Sequence, residues 1–422
     1  MKTGTITTLG VATFLVAAGA WYASSSRAAD NTAIPRDTPL LPALQDAIND
    51  VASLAVTTAD GTVTLERGEA GWTLAEKAGY PARADRVRTL LFELCDARIL
   101  EQKTATPARF TRLGLDAPDA EDSTARRIVI LSTSGDTLCD LLVGDRPASQ
   151  GGFAPGQSAP DAQTYVHPAG DGPALLVSGG FQADARANGW LDQELVDVSA
   201  SRVKAARVTH ADGEAVELAR ADMTDTSLDV LGVPDGMEPK VPDATRVFTS
   251  ALSRLRFDDV ARVDDIDWSA GTMATAQFFT EKGLRIVAET VELPKAGEEV
   301  AEGAEPTLVT WARIRADVVD ASDMPAAPGA DSMGPEARPA DEGQETAEAT
   351  GTDGGALEAE AASLNEGLEG WAFALPSWKS GPFRMRMDGL VQPLEEPDPA
   401  PQPETTPEPS AEAAPPGDDG GL

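Results

Sequence analysis

Val56-Thr57-Thr58-Ala59-Asp60-Gly61 returns 152 residues later as Val208-Thr209-His210-Ala211-Asp212-Gly213. A chain that carries a copy of itself at this distance must build the same unit twice. Both copies continue into a second apolar run, Thr62-Val63-Thr64-Leu65 and Ala215-Val216-Glu217-Leu218, and both then reach an arginine, Arg67 or Arg220. An apolar run, an Asp-Gly turn and a returning run spell a β-hairpin. Pro81 to Val87 then leads into Leu90, Leu91, Leu94 and Ile99. Pro242 to Val247 leads in the same way into Ala251, Leu252, Leu255 and Val260. Spacings of three and four put these residues on one stripe of a helix, with Asp85 or Asp243 near its start as cap or dipole partner.

After each helix the period falls toward two. The first copy runs through Ile128-Val129-Ile130-Leu131, a turn at Ser134-Gly135-Asp136, Leu138 to Val143, and Tyr165-Val166. The second runs through Phe278-Phe279, a turn at Lys282-Gly283, Leu284 to Ala288, and Leu308 to Ile314. The expected class is α+β: two repeated units, each a hairpin, one helix and further antiparallel strands, preceded by an N-terminal transmembrane helix. The divisions expected are an anchor at 1–28, a first unit with its bridge at 29–200 and a second unit at 201–319. An acidic disordered insert at 320–363, a segment at 364–391 that packs back on the body, and a disordered Pro-rich tail at 392–422 complete the chain.

The anchor rests on Thr3 to Ala23, which carries no charge and ends beside Trp21-Tyr22. About 20 uncharged residues suffice to cross a bilayer core, and aromatic pairs favour its interface. A cleaved leader also fits, because Ser26-Arg27-Ala28 offers small residues around a cut, although the run is long for that role. Either way the body is exported. With Lys2 on the near side, a single-pass protein of the inner (cytoplasmic) membrane with its body in the periplasm is expected.

Charge excludes one class of partner. There are 69 acids against 34 bases, net −35, and such a chain repels phosphate backbones, so no nucleic-acid partner is expected. The excess is local: 320–360 and 395–419 supply 18 of the 35 surplus negative charges. The insert loses all periodicity and fills with Ala, Pro, Gly and Glu, too little apolar area to offset ordering entropy. Order is expected again at Trp371, Phe373, Leu375 and Trp378, with Phe383 to Val391 as a short closing helix.

Chemistry-bearing motifs are sparse. Cys95 and Cys139 are the only cysteines and His167 and His210 the only histidines. Cys95 falls in a helical pattern and Cys139 in a strand pattern, which favours two buried thiols over the disulfide that an exported location permits. Asp258-Asp259 with Asp264, Asp265 and Asp267 offers five carboxylates to a hard cation, yet reads better as a solvated strand end. His210 falls where the first copy has Thr58 and is read as an ordinary strand histidine; His167 is read as a strand-end surface residue. Gly144-Asp145-Arg146-Pro147 and Gly151-Gly152 read as loop, and Trp72 and Trp190 as core. No catalytic, cofactor-binding or metal residue is assigned, no cofactor is expected, and the chain is not read as an enzyme.

Several short motifs nevertheless stand in a definite order. Gly71-Trp72, Leu113-Gly114-Leu115-Asp116-Ala117-Pro118, Leu142-Val143-Gly144-Asp145, Tyr165-Val166 and Trp190-Leu191 resemble the bacterial domain-of-unknown-function family 4340. Gly370-Trp371-Ala372-Phe373-Ala374-Leu375-Pro376-Ser377-Trp378-Lys379 is similar to an ending seen in some members, with Phe373 where Tyr is usual. The resemblance covers about 45–320 and 364–391. It implies a membrane-anchored extracytoplasmic protein of a kind often encoded beside gliding-type ABC transporter components. The expected function is therefore a non-catalytic membrane-tethered module, accessory to an ABC-type transport assembly and partnered by its subunits. The alternative is an envelope module that binds a glycan, lipid or peptide in the cleft between the repeats.

Overall fold

The computed structural model describes residues 35–147, 162–240, 243–298, 303–327 and 349–394. Ten strands precede residue 180: β1 (Thr38–Pro39), β2 (Val51–Thr58), β3 (Gly61–Gly68), β4 (Gly71–Leu74), β5 (Tyr80–Pro81), β6 (Arg98–Gln102), β7 (Arg126–Ser132), β8 (Thr137–Val143), β9 (Gln163–Pro168) and β10 (Leu175–Ser178). They form one sheet in the order β1-β6-β10-β9-β8-β7-β2-β3-β4-β5. Then come β11 (Glu194–Val196), β12 (Val203–His210), β13 (Ala215–Ala219), β14 (Asp229–Leu231), β15 (Met237–Pro239), β16 (Leu255–Arg256), β17 (Asp259–Arg262), β18 (Met273–Thr280), β19 (Leu284–Pro294), β20 (Leu308–Val318), β21 (Trp371–Leu375) and β22 (Val391–Pro393). Eight of them make the second sheet, β14-β13-β12-β18-β19-β20-β21-β17.

Taken from its other end, the second sheet places β17-β21-β20-β19-β18-β12-β13-β14 in the same ranks as β6-β10-β9-β8-β7-β2-β3-β4. The hairpins differ by one residue. Thr58 pairs with Gly61 across a two-residue turn, whereas His210 N–H reaches Glu214 O across three. Gly61 at φ 141° and Gly213 at φ 90° take conformations that L side chains rarely adopt.

The expected α+β class does not hold. The described residues are mostly antiparallel sheet and 23% helical. Its helix Ala84–Asp96 buries Val87, Leu90, Leu91 and Leu94, but its counterpart Asp243–Thr249 has only seven residues, and strands such as β6, β17 and β10 were too short to register as alternation. No helix among the described residues is long and apolar enough to cross a membrane, and residues 1–28, where the anchor is expected, lie outside the described residues. The expected stripe residues Ala251, Leu252, Leu255 and Val260 are buried but lie beyond the end of this helix. Thr245, Phe248, Thr249 and Leu252 are buried while Val247 is 39% exposed; two buried threonines hid the true register.

The insert departs from expectation as well. Its described second part forms a helix, Ala349–Leu368, where alanine, leucine and glutamate are strong helix formers. Leu357, Ala361 and Leu368 join the main core beside Ala312 and Ile314 of β20. Asn365 fastens it: its amide accepts from Ala316 N–H and donates to Ala316 C=O, both at 2.8 Å. Arg202 and Glu360 add an ion pair at 2.7 Å. This helix supplies cover that the short Asp243–Thr249 helix does not.

Strand β21 then enters between β20 and β17. All five of its residues are buried. Trp378, expected in the core, is 76% exposed. Where one closing helix over Phe383 to Val391 is expected, the chain forms the turn Gly381–Phe383 and the short helix Met387–Leu390 before pairing as β22 with β15. The tail from 395 onward lies outside the described residues.

Candidate functional site

The two sheets meet at Lys77-Ala78-Gly79-Tyr80. Ala78 (φ 52°) and Gly79 (φ 78°) turn the chain so that Tyr80 points into the second sheet. Its ring lies 4.8 Å from Trp371, 5.7 Å from Phe257 and 6.2 Å from Phe373, all edge-on. Edge-to-face aromatic pairs stabilise by about 0.5–1.5 kcal/mol beyond their buried area. Burial, with Asp192 second, pushes the Tyr80 hydroxyl up to about 12, so it stays protonated at neutral pH.

Polar contacts frame this aromatic cluster. Lys77 Nζ meets Asp259 Oδ1 at 2.5 Å. Arg262 donates to Ala78 O at 3.3 Å and stacks 3.8 Å over the Trp371 ring. Asn188 donates to Asp258 O at 2.7 Å, Arg83 N–H to Trp190 O at 2.7 Å, and Ala82 bridges Leu191. Beside them opens a cavity of about 560 Å³ lined by Pro81, Ala82, Arg83, Asp85, Asp192 and Glu194. Three carboxylates face one guanidinium there, and Arg83 is already held by Asp85 at 2.7 Å. The cavity therefore favours a ligand that donates hydrogen bonds or carries positive charge.

The family-like motifs converge elsewhere, at a tight crossing of loops. Asp145 N–H donates to Leu113 O at 2.9 Å, Gly144 N–H to Tyr165 O at 2.9 Å, and Tyr165 N–H to Asp145 O at 3.0 Å. A Cβ on Gly144 would stand 2.3 Å from Leu113 O, and one on Gly114 would stand 2.5 Å from the Asp145 carboxyl. Close approach of two backbones explains Gly144, whereas Gly114 takes the left-handed φ of 64° with the Asp145 carboxyl against it. Trp190, fully buried, donates from Nε1 to Asp184 O at 2.9 Å, and Ala82 N–H donates to Trp72 O at 2.8 Å. These motifs hold the fold together.

The acidic residues do not come together. Asp259 takes Lys77, Asp264 and Asp265 lie exposed on a turn, and Asp267 accepts from Ser269, whose hydroxyl and N–H hold its carboxyl below the usual range. Among the described residues no group of three or more His, Cys, Asp or Glu is placed to hold a metal ion. Cys95 and Cys139 are both buried and free.

His210 is 4% exposed. Its Nε2 lies 3.2 Å from Met385 O, and Glu214 beside it accepts Met387 N–H at 2.8 Å and pairs with Arg386. Asp212 takes the same arginine at 2.8 Å. The second Asp-Gly turn thus clasps the C-terminal segment. His167 is half-buried against Phe110, ring centroids 4.7 Å apart. Gly151-Gly152 lies outside the described residues. The junction residues Lys77, Tyr80 and Arg262 escaped the sequence reading because their partners lie far along the chain, 182 residues away for Lys77 and 184 for Arg262.

A search of the curated proteins finds no match to the chain. A family profile described as "Domain of unknown function (DUF4340)" matches residues 72–272, a span running from β4 through the junction to the start of β18 and narrower than the resemblance suggested. The crossing of Gly114, Gly144 and Tyr165, the Trp190 anchor and the junction residues Lys77, Tyr80 and Arg262 fall within it, and over that span the chain resembles the DUF4340 family.

Proposed function

We propose that the protein is a non-catalytic, membrane-tethered extracytoplasmic module that serves as an accessory to an ABC-type transport assembly. The observation that carries this reading is the uncharged run Thr3 to Ala23, with β1 of the first sheet beginning at Thr38. A body joined to a membrane-held run by about fourteen residues stays close to the membrane surface and its proteins. The gliding-type transporter neighbourhood implied by the family resemblance supplies the class of partner. If the run is retained, the mature chain begins at or near Met1, stays with membranes through a carbonate wash and is digested by protease added to spheroplasts. A mature start at Ala29 with the protein free in the periplasm would contradict the tether.

One observation favours a second reading, an envelope binding module. The cavity of about 560 Å³ at the junction is of ligand size, and its carboxylates suit an amine-bearing glycan or peptide. A ligand-dependent rise in melting temperature, lost in Asp192→Asn, would support it.

A further inference from the structure

Trp378 is the most exposed large apolar side chain among the described residues, at 76%, and its surroundings hold it outward. The strand before it, β21, is buried throughout. Pro382 and Phe383, after it, are buried too. Between these anchors Lys379 turns inward, and its Nζ donates to the carbonyls of Ser250 (2.6 Å), Ala251 (3.2 Å) and Ser253 (3.0 Å). With its neighbour pinned by three bonds, the indole has no route into the core. Water contacts roughly 200 Å² of aromatic surface at such a residue.

The corner holds two cations and one carboxylate, Asp197, which accepts Arg254 N–H at 2.8 Å. The Lys379 ammonium is 5.7 Å from the indole centroid, and exposed Arg254 follows Ser253, one of the lysine's acceptors. Fourteen residues, 24–37, lie between the uncharged run and β1, a reach of at most about 50 Å at ~3.6 Å per residue. We propose that Trp378 seats in the headgroup region of the bilayer, with the exposed Arg254 guanidinium at phosphate level, and so fixes which face of the tethered body meets the membrane. Tryptophan prefers that region, and the tether supplies the affinity that a single indole does not. A protein groove would need a broader apolar surround. The other exposed large apolar residues are Phe92 and Val247 on two helices, Leu308 and Val318 at the opposite ends of β20, and Leu394 after β22.

The proposal rests on the tether reading, and one experiment separates their failures. Full-length protein and its Trp378→Phe variant are reconstituted into vesicles of phosphatidylethanolamine and phosphatidylglycerol with brominated acyl chains. Flotation is scored first, and the difference between the two emission spectra isolates Trp378. The expected result is that both proteins float and that most of the Trp378 component is lost to the brominated chains while aqueous iodide leaves it unchanged. Flotation with a Trp378 component quenched by iodide and not by bromine would overturn the proposal, leave the tether standing and direct attention to a protein partner. Failure to float would overturn both.

Discussion

Arg67 and Arg220 hold corresponding positions in the two sheets and reach for the same point of the backbone. Arg67 Nη1 donates to Asn49 O at 3.0 Å, two residues before β2. Arg220 Nη2 donates to Ser201 O at 2.8 Å, two residues before β12. The two environments differ. Arg67 is exposed, whereas Arg220 is 3% exposed and also serves Ala200 O at 3.1 Å and Asp225 O at 2.5 Å. Arg220→Ala leaves buried carbonyls without donors and should cost about 3 kcal/mol, while Arg67→Ala should cost under about 1. Urea denaturation of both variants checks this; equal losses would show that burial does not distinguish the pair.

Asn365 bonds Ala316 as a neighbouring strand would. Asn365→Ala should destabilise by about 1–3 kcal/mol, since a strand N–H and C=O lose their partners together. Hydrogen exchange should report the loss at the Ala316 amide. Unchanged protection there would mean that the insert helix does not seal β20.

The aromatic ending divides sharply. Trp371→Ala or Phe373→Ala removes a buried ring and should cost about 3–5 kcal/mol, whereas Trp378→Ala should leave the melting temperature within error. Ending the chain before Trp371 removes β21 and should abolish folding. A stable product of that truncation would show that the second sheet is complete without it.

Burial lowers the His167 pKa, so the folded protein resists protonating this ring. The unfolded chain then binds more protons in the window between the lowered value and the ordinary one near ~6.5. The stability that neutral His167 contributes is full above the ordinary value and is lost as pH falls through the lowered one. Melting temperature should drop on acidification across that range, and His167→Gln should flatten the drop. An unchanged profile in the variant would place the titrating group elsewhere.

Burial, with Asp140 and Cys95 adding to it, pushes the Cys139 thiol up to about 12, and Cys95 is raised as well. Neither should react with an aqueous thiol reagent at pH 8 until the protein unfolds. Rapid labelling of native protein would contradict the buried placement.

Much of the hairpin framework was legible because Asp-Gly turns and period-two runs are local signals. The register of the Asp243–Thr249 helix was not, since Thr245 and Thr249 occupy buried positions that a hydrophobic pattern leaves blank. The same locality explains Trp378. Composition marks an aromatic cluster for burial, but only the three carbonyls that capture Lys379 decide which tryptophan faces out. The helix Ala349–Leu368 was hidden by its acidity and glycines, and its footing on β20 depends on Asn365, whose partner is 49 residues away. The junction at Tyr80 has no local signature, because its aromatic partners come from β21 and from Phe257, far along the chain.

The most direct test of the tethered-accessory reading is quantitative recovery of the full-length protein, tagged at its C-terminus, from native membranes after mild crosslinking. Recovery of the permease and ATP-binding subunits of one ABC-type transporter, in fixed ratio to the tagged chain and far above an unrelated single-pass control, is the expected result. Recovery of the tagged chain from the membrane fraction without those subunits would contradict it.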